Sequence, residues 1–324
     1  MNELNLPRDF IKNVQNSFDE EGVQFIVNLP KLIDEACQRW ELDDIQPVPN
    51  LSYNFVAFSN NRAEKIILKI GVPNPELTSE MEALKLFNGD GACRLLDCDE
   101  DRGFLLLERL DPGTMLSELA DDDQRTHIAV DVMQKTILSK GEVTSPLLNK
   151  FIKLTTWFDA LKKIRPQFNG GTGPFPKKIL EHVESFLSYA WDEHAQSPHL
   201  LHGDFHHFNI LLSERGWLVI DPKGVVGPAG YEIGPLMINP WNSFSDGSRP
   251  ALPKKHRDNV SLIEGFKAQT ERRVNIISER LGWERESILN WATAHAVLSS
   301  WWDMQPDGAG GEYPLWCAEI FSNL

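Results

Sequence analysis

The spacing of apolar positions changes period along the chain, and the change divides it. In the N-terminal part, "YNFVAFS" and "KIILKI" alternate or cluster apolar and aromatic residues as a strand pair does, with "NNRAE" as the turn between them. Ahead of them "LIDEACQRW" has the spacing of a short helix, and Pro47 and Pro49 break the chain after it. Asn74 followed by Pro75 combines an N-cap with a first-turn proline, which opens a helix over "PELTSEMEALKLF" that Gly89 and Gly91 end. "CRLLDCD" and "FLLLERL", joined by the turn "EDRG", read as two further strands, and "DPGT" as a linker. A small antiparallel sheet with one inserted helix is the expectation for this part.

Beyond the linker the helical period takes over. Segments near 122–140, 147–165, 175–195, 257–281 and 285–303 carry apolar residues at helical spacing, with "NGGTGP" and "NPWNSFSDGSRP" as loops. One hairpin interrupts them: "FNILLS" and "GWLVID" are short apolar runs joined by "ER". The fold class is α+β.

Composition narrows the partners. The 32 Lys and Arg against 47 Asp and Glu leave a formal charge of −15, which argues against nucleic acid or an anionic membrane and suits a cationic ligand. No apolar run reaches membrane-spanning length, and the N-terminus has no signal-peptide core, so a cytoplasmic location is expected. Four scattered cysteines, Cys37, Cys93, Cys98 and Cys317, form no C-x-x-C pair and read as reduced thiols.

The candidate chemistry lies in "LLHGDFHHFNIL", just ahead of the C-terminal hairpin. Asn209 follows Asp204 by five residues and Asp221 follows Asn209 by twelve, at the hairpin's far end. A loop carboxylate, an amide and a second carboxylate after a hairpin are the parts phosphoryl transfer needs. Asp221 and the amide oxygen of Asn209 are hard donors that suit magnesium, and Asp204 can orient an attacking hydroxyl and take its proton. The competing reading gathers His202, His206 and His207 around zinc, but no further ligand follows at a recognisable metal spacing. On the kinase reading the histidines brace the loop.

"HGDFHHFNILL" together with "LVIDPKGVVGPAGYEIG" resembles the aminoglycoside phosphotransferase superfamily, in particular its streptomycin and hydroxyurea kinase branch. The stretch from "LKIGVPNP" to "LDPGT" is similar to that family's N-terminal lobe, so the resemblance covers roughly Leu51 to Pro240 and runs more loosely to the C-terminus. It implies a bilobal protein-kinase-like fold, with a nucleotide-binding lobe over 1–110 and a mostly helical lobe for catalysis and substrate over 111–324. It further implies ATP and magnesium as cofactors, and an antibiotic-type small molecule, streptomycin-like or hydroxyurea-like, as acceptor.

By this resemblance Lys69 is the lysine on the α- and β-phosphates, and helix geometry selects its partner. Leu77, Met81 and Leu84 form one stripe flanked by Glu80, whereas Glu82 points away. The backbone of Glu108 and Leu110 is expected at the adenine edge. One departure stands out: the phosphate-covering segment "NLSYNFVAF" has no glycine, so Ser52 and nearby amides take that role. Glu232, Trp301, Trp302 and Asp303 are candidates for the acceptor site, since aromatic faces beside carboxylates suit a cationic, sugar-like compound. Leu298, Trp301 and Trp302 also stand at core-like helical spacing. Two other readings compete: a catalytically idle nucleotide-binding protein, and a kinase of an unrelated cytosolic metabolite. A protein kinase fits poorly, because "GPAGYEIG" follows Asp221 too soon for an activation segment.

Overall fold

A computed structural model describes residues 6–62, 64–137, 150–191, 198–240, 260–305 and 308–324. The chain forms two compact units, Met1–Gly113 and Thr114–Leu324.

The first unit opens with α1 (Arg8–Trp40), followed by β1 (Leu42–Pro47), β2 (Phe55–Asn61), β3 (Glu64–Ile70), α2 (Pro75–Phe87), β4 (Leu95–Asp99) and β5 (Phe104–Glu108). The strands make one antiparallel sheet in the order β1-β2-β3-β5-β4. Strand alternation decides which side chains go to which face. Phe55 and Ala57 of β2, Ile66, Leu68 and Ile70 of β3, and Phe104 and Leu106 of β5 share one core with Phe25, Leu29, Ile33, Ala36 and Trp40 of α1. Lys69 lies between Leu68 and Ile70, so it projects from the opposite face.

α2 covers that opposite face. Asn74 caps it, with Oδ1 accepting from the N–H groups of Glu76 and Leu77 at 2.8 and 3.2 Å, and Pro75 fills the first turn. Asn88 ends it in the left-handed conformation, one residue ahead of the expected Gly89.

The second unit begins as β6 (Pro112–Met115) ends and contains α3 (Asp122–Thr136), β7 (Ile152–Lys153), α4 (Leu154–Phe158), α5 (Ile164–Gln167), α6 (Lys177–Ala190) and β8 (Pro198–Leu201). It continues through β9 (Ile210–Ser213), β10 (Gly216–Val219), β11 (Val225–Pro228), α7 (Ile233–Met237), α8 (Val260–Leu281), α9 (Arg285–Asp303) and α10 (Glu312–Phe321). Two three-stranded sheets, β10-β9-β6 and β7-β11-β8, frame the segment between β8 and β9. α9 is the central helix, with Trp291 through Leu298 buried without interruption. Glycine lets α7 approach it: a Cβ on Gly234 would lie 2.2 Å from the Cβ of His295.

A buried ion pair ties α3 to α8. Arg273 donates to both carboxylate oxygens of Asp122 at 2.9 and 2.5 Å, and its Nη1 reaches the carbonyl of Asn239 at 2.6 Å. Burial opposes ionisation of Asp122, yet Arg273, with Gln269 and Arg125, holds its carboxyl well below the usual carboxylate range.

Several elements depart from the sequence expectation. The short helix at "LIDEACQRW" is the end of the 33-residue α1, whose path includes a non-helical Asp19 and an internal Pro30. Pro47 terminates an edge strand instead of only breaking the chain. The single helix expected over 147–165 is broken: β7, α4, a 3₁₀ turn over Asp159–Lys163 and α5 share that span, with 147–149 outside the described residues. The expected helix ends at 138–140, 192–195 and 257–259, and most of the "NPWNSFSDGSRP" loop, also lie outside them. Among the described residues no helix is long and apolar enough to cross a membrane.

Candidate active site

In the first unit the residue at the centre is Lys69, paired in register with Val56 of β2 and Leu105 of β5. Its Nζ donates to Oε1 and Oε2 of Glu80 at 2.7 and 2.6 Å, and both side chains are almost wholly buried. An ammonium in such surroundings is stable only with a close counter-charge, and α2 supplies it from the side of its apolar stripe. Glu82 is turned away and takes Lys85 at 2.7 Å. Ser52 is exposed in the bend that precedes β2. The Glu108 N–H donates to the carbonyl of Arg94 at 2.9 Å, so that donor is committed within the sheet. Leu110 is buried just beyond β5.

In the second unit residues 202–209 form the loop between β8 and β9, and its backbone is held from several directions. Gly203 has φ +85°, and a Cβ there would come within 3.0–3.2 Å of Val225, Trp157 and Lys223, so conformation and space both call for glycine. Its N–H donates to Glu232 Oε1 at 3.0 Å. His202 is fully buried: Nε2 faces the carbonyl of Ile220 at 2.8 Å, and Nδ1 accepts from the Asp204 N–H at 3.2 Å. These partners fix the tautomer with the proton on Nε2, and burial lowers the pKa to about 4, so His202 is a neutral brace.

Asp204 emerges from this frame with its side chain 37% exposed. Asn209 Nδ2 donates to the Asp204 carbonyl at 3.0 Å and to Oδ2 at 3.3 Å, while His206 Nε2 lies 3.3 Å from Oδ1. Partial enclosure opposes ionisation, but His206 and Lys223 outweigh it and hold the carboxyl well below its ordinary range. The Asn209 carbonyl accepts from the Ile220 N–H at 2.9 Å, which brings Asp221 alongside. Asp221 has φ +58°, a conformation non-glycine residues rarely adopt, and its Oδ2 accepts from Lys223 Nζ at 2.8 Å. The loop and the end of the hairpin therefore bring Asp204, Asn209 and Asp221 together within one unit.

The donor set suits a hard divalent cation. Asn209 spends its NH₂ on Asp204 and so turns Oδ1 the other way, and Asp221 is a partly exposed carboxylate that already attracts a cation, Lys223. Zinc is less well served. His202 uses both nitrogens internally, His207 is fully buried, and among the described residues no three His, Cys, Asp or Glu side chains are placed to share a metal.

The acceptor candidates are revised. Glu232 is fully buried beneath Gly203 and braces the loop, so its carboxyl cannot line a surface; burial pushes its pKa up to about 8, against the pull of the Gly203 and His202 backbone. Trp301 and Asp303 are half-buried, while Trp302 is 48% exposed. Trp302 packs edge-on to Trp157, with ring centroids 5.5 Å apart, and the Trp157 ring is the one that abuts Gly203. Trp157 was missed in the sequence, where it stands beside Phe158 in a segment read as an ordinary amphipathic helix.

The family described as aminoglycoside/hydroxyurea antibiotic resistance kinase matches residues 39–308. Streptomycin 6-kinase of Streptomyces glaucescens is 25% identical over 316 residues, covering 94% of this chain and 93% of that protein. Streptomycin 3''-kinase of Klebsiella pneumoniae is 34% identical over 232 residues, covering 70% of this chain and 76% of its own. Among solved structures, choline kinase LicA from Streptococcus pneumoniae matches with a TM-score of 0.61 at 14% identity, over 92% of this chain and 100% of that one, a likeness of fold alone.

Proposed function

Because the chain belongs to the aminoglycoside/hydroxyurea antibiotic resistance kinase family, and is thereby a small-molecule kinase of protein-kinase-like fold, we propose that it moves the γ-phosphate of ATP to a hydroxyl of a streptomycin-type aminoglycoside or to the N-hydroxyl of a hydroxyurea-like compound. The observation that carries this reading is the joint hold of Asn209 on Asp204 and, through the Ile220 N–H, on the backbone beside Asp221.

Each group has a role in that reaction. Asp204 receives the acceptor hydroxyl's proton as the oxygen attacks phosphorus, and Asn209 keeps its carboxylate in place. The ordinary chemistry of a loosely bonded, in-line transition state leaves the protein chiefly a task of positioning and charge, and the braces on Gly203 and His202 serve the positioning. Asn209 and Asp221 would hold magnesium, which supplies charge neutralisation for the phosphates when bound. Lys69, kept extended by Glu80, binds the α- and β-phosphates, Ser52 and its neighbouring amides cover them, and the backbone of Glu108 and Leu110 receives the adenine. Trp157 and Trp302 offer an aromatic corner beside the loop for the non-reacting part of the acceptor, with Trp301 and Asp303 next to it on α9.

A coupled ADP-release screen against streptomycin-type aminoglycosides, hydroxyurea, common sugars and amino alcohols tests the proposal, with mass spectrometry to locate the phosphate. Transfer to an aminoglycoside or to hydroxyurea is the expected result. Stabilisation by ATP with no transfer to any compound would mean an idle nucleotide-binding protein, and transfer only to a sugar or amino alcohol would move the acceptor to another class.

A further inference from the structure

Lys223 stands two residues beyond Asp221, and the reaction outlined above gives it no task. Its position is nonetheless fixed from both ends. The backbone N–H donates to the His202 carbonyl at 2.6 Å, and its Cβ lies where only a glycine at 203 leaves room. Pro222 restricts the chain between Asp221 and Lys223. The ammonium then reaches back to Asp221 Oδ2 at 2.8 Å. Asp204, the neighbouring carboxylate, has its own partner in His206. Two carboxylates thus share one loop cluster: His206 is the hydrogen-bonding neighbour of Asp204, while the Lys223 ammonium is bonded to Asp221 and its charge also acts on Asp204.

We propose that Lys223 is a resident counter-cation for Asp221: it occupies the carboxylate until a divalent ion arrives, gives way to that ion, and so weakens and tunes the ion's binding. The inference rests on the reading of Asp221 as a metal ligand. Electrostatics gives its direction, since two carboxylates left side by side repel and a fixed ammonium offsets the repulsion. The same ammonium competes with any other cation for Asp221. Exposure permits the exchange, because the Lys223 and Asp221 side chains are 28% and 34% exposed, so the lysine can swing into solvent without unfolding the loop. Lys223 is a positioning residue in this scheme, and its contribution is a setting of metal affinity.

The test titrates the full chain with Mn²⁺, followed by electron paramagnetic resonance, with and without a non-hydrolysable ATP analogue. Lys223→Met keeps the aliphatic stem and removes the charge, so it should bind Mn²⁺ tighter than the unaltered chain, on the order of tenfold. Lys223→Arg keeps the charge and should stay near the unaltered affinity, which a merely structural role would not require. The rise in Tm on adding Mn²⁺ should also be larger in Lys223→Met, and Lys223→Gln serves as a second neutral variant should the methionine disturb folding. Equal or weaker Mn²⁺ binding by the neutral variants overturns the inference. Asp221→Asn separates the two layers: if it leaves Mn²⁺ binding untouched the metal reading of Asp221 is lost, and if it abolishes binding while the neutral variants fail to tighten it, only the role of Lys223 is lost.

Discussion

Asp204→Asn keeps the shape of the side chain and its neighbours while removing the proton acceptor, so it separates chemistry from binding. General-base contributions run to about 10²–10⁴ in rate, and a fall in kcat of that size with little change in the KM for nucleotide is expected in steady-state ADP release. An unchanged kcat would remove Asp204 from the proton transfer. Glu232 gives a prediction that needs no acceptor. Its buried carboxyl titrates at about 8 in the folded chain against an ordinary 4.5, so the native state keeps a proton that the unfolded chain sheds across that window. That proton's contribution to stability is fully present below about 4.5 and is lost as pH rises through about 8. Glu232→Gln cannot titrate but can still accept from the Gly203 N–H. Its Tm should therefore gain on that of the unaltered chain as pH rises through the window, and parallel Tm–pH curves would disprove the assignment.

Among elements, the contact of α7 with α9 is the one that glycine makes possible. Gly234→Ala places a methyl 2.2 Å from the Cβ of His295, whose Nδ1 is hydrogen-bonded with the Tyr231 hydroxyl at 3.0 Å. Neither side is a flexible chain end, so the helices must separate, and overpacking of this kind costs about 1–3 kcal/mol. A lower urea midpoint with an unchanged m-value is expected, and an unshifted midpoint would show that α7 can slide freely. How far such elements were legible depended on whether local signals agreed. The β2–β3 hairpin, α2 with its Asn74 cap and the β9–β10 hairpin each had a clean period bounded by turn or cap residues, and the side of α2 that carries Glu80 followed from its apolar stripe. The first part of α1 was not legible, because Asp19 and Pro30 interrupt the helical pattern. α10 escaped notice for the opposite reason: "YPLWCAEIF" is buried on nearly every side and so has no polar face to mark a period. The candidate site divides in the same way. Asp204, Asn209 and Asp221 are close in sequence and share a local motif, whereas Trp157 reaches Gly203 only through tertiary packing, and no spacing within the chain encodes that contact.

On the scale of the whole molecule the informative quantity is the net charge of −15. An acidic protein draws a polycation towards it and leaves a neutral solute unaffected, and the attraction is screened over about 10 Å at 0.1 M salt. The two acceptor classes proposed here differ in this respect, since a streptomycin-type aminoglycoside is polycationic at neutral pH and hydroxyurea is uncharged. If the acceptor is of the first kind, its kcat/KM should fall several-fold between about 0.05 and 0.5 M salt, with most of the change in KM, because screening acts on encounter and on exposed contacts rather than on the enclosed chemistry. The salt response of KM for ATP, measured alongside, corrects for effects on the nucleotide. A flat profile for an aminoglycoside that is nevertheless turned over would mean that short-range contacts such as the Trp157–Trp302 corner, and not the protein's overall field, govern recognition. The charge of the chain would then reflect solubility alone.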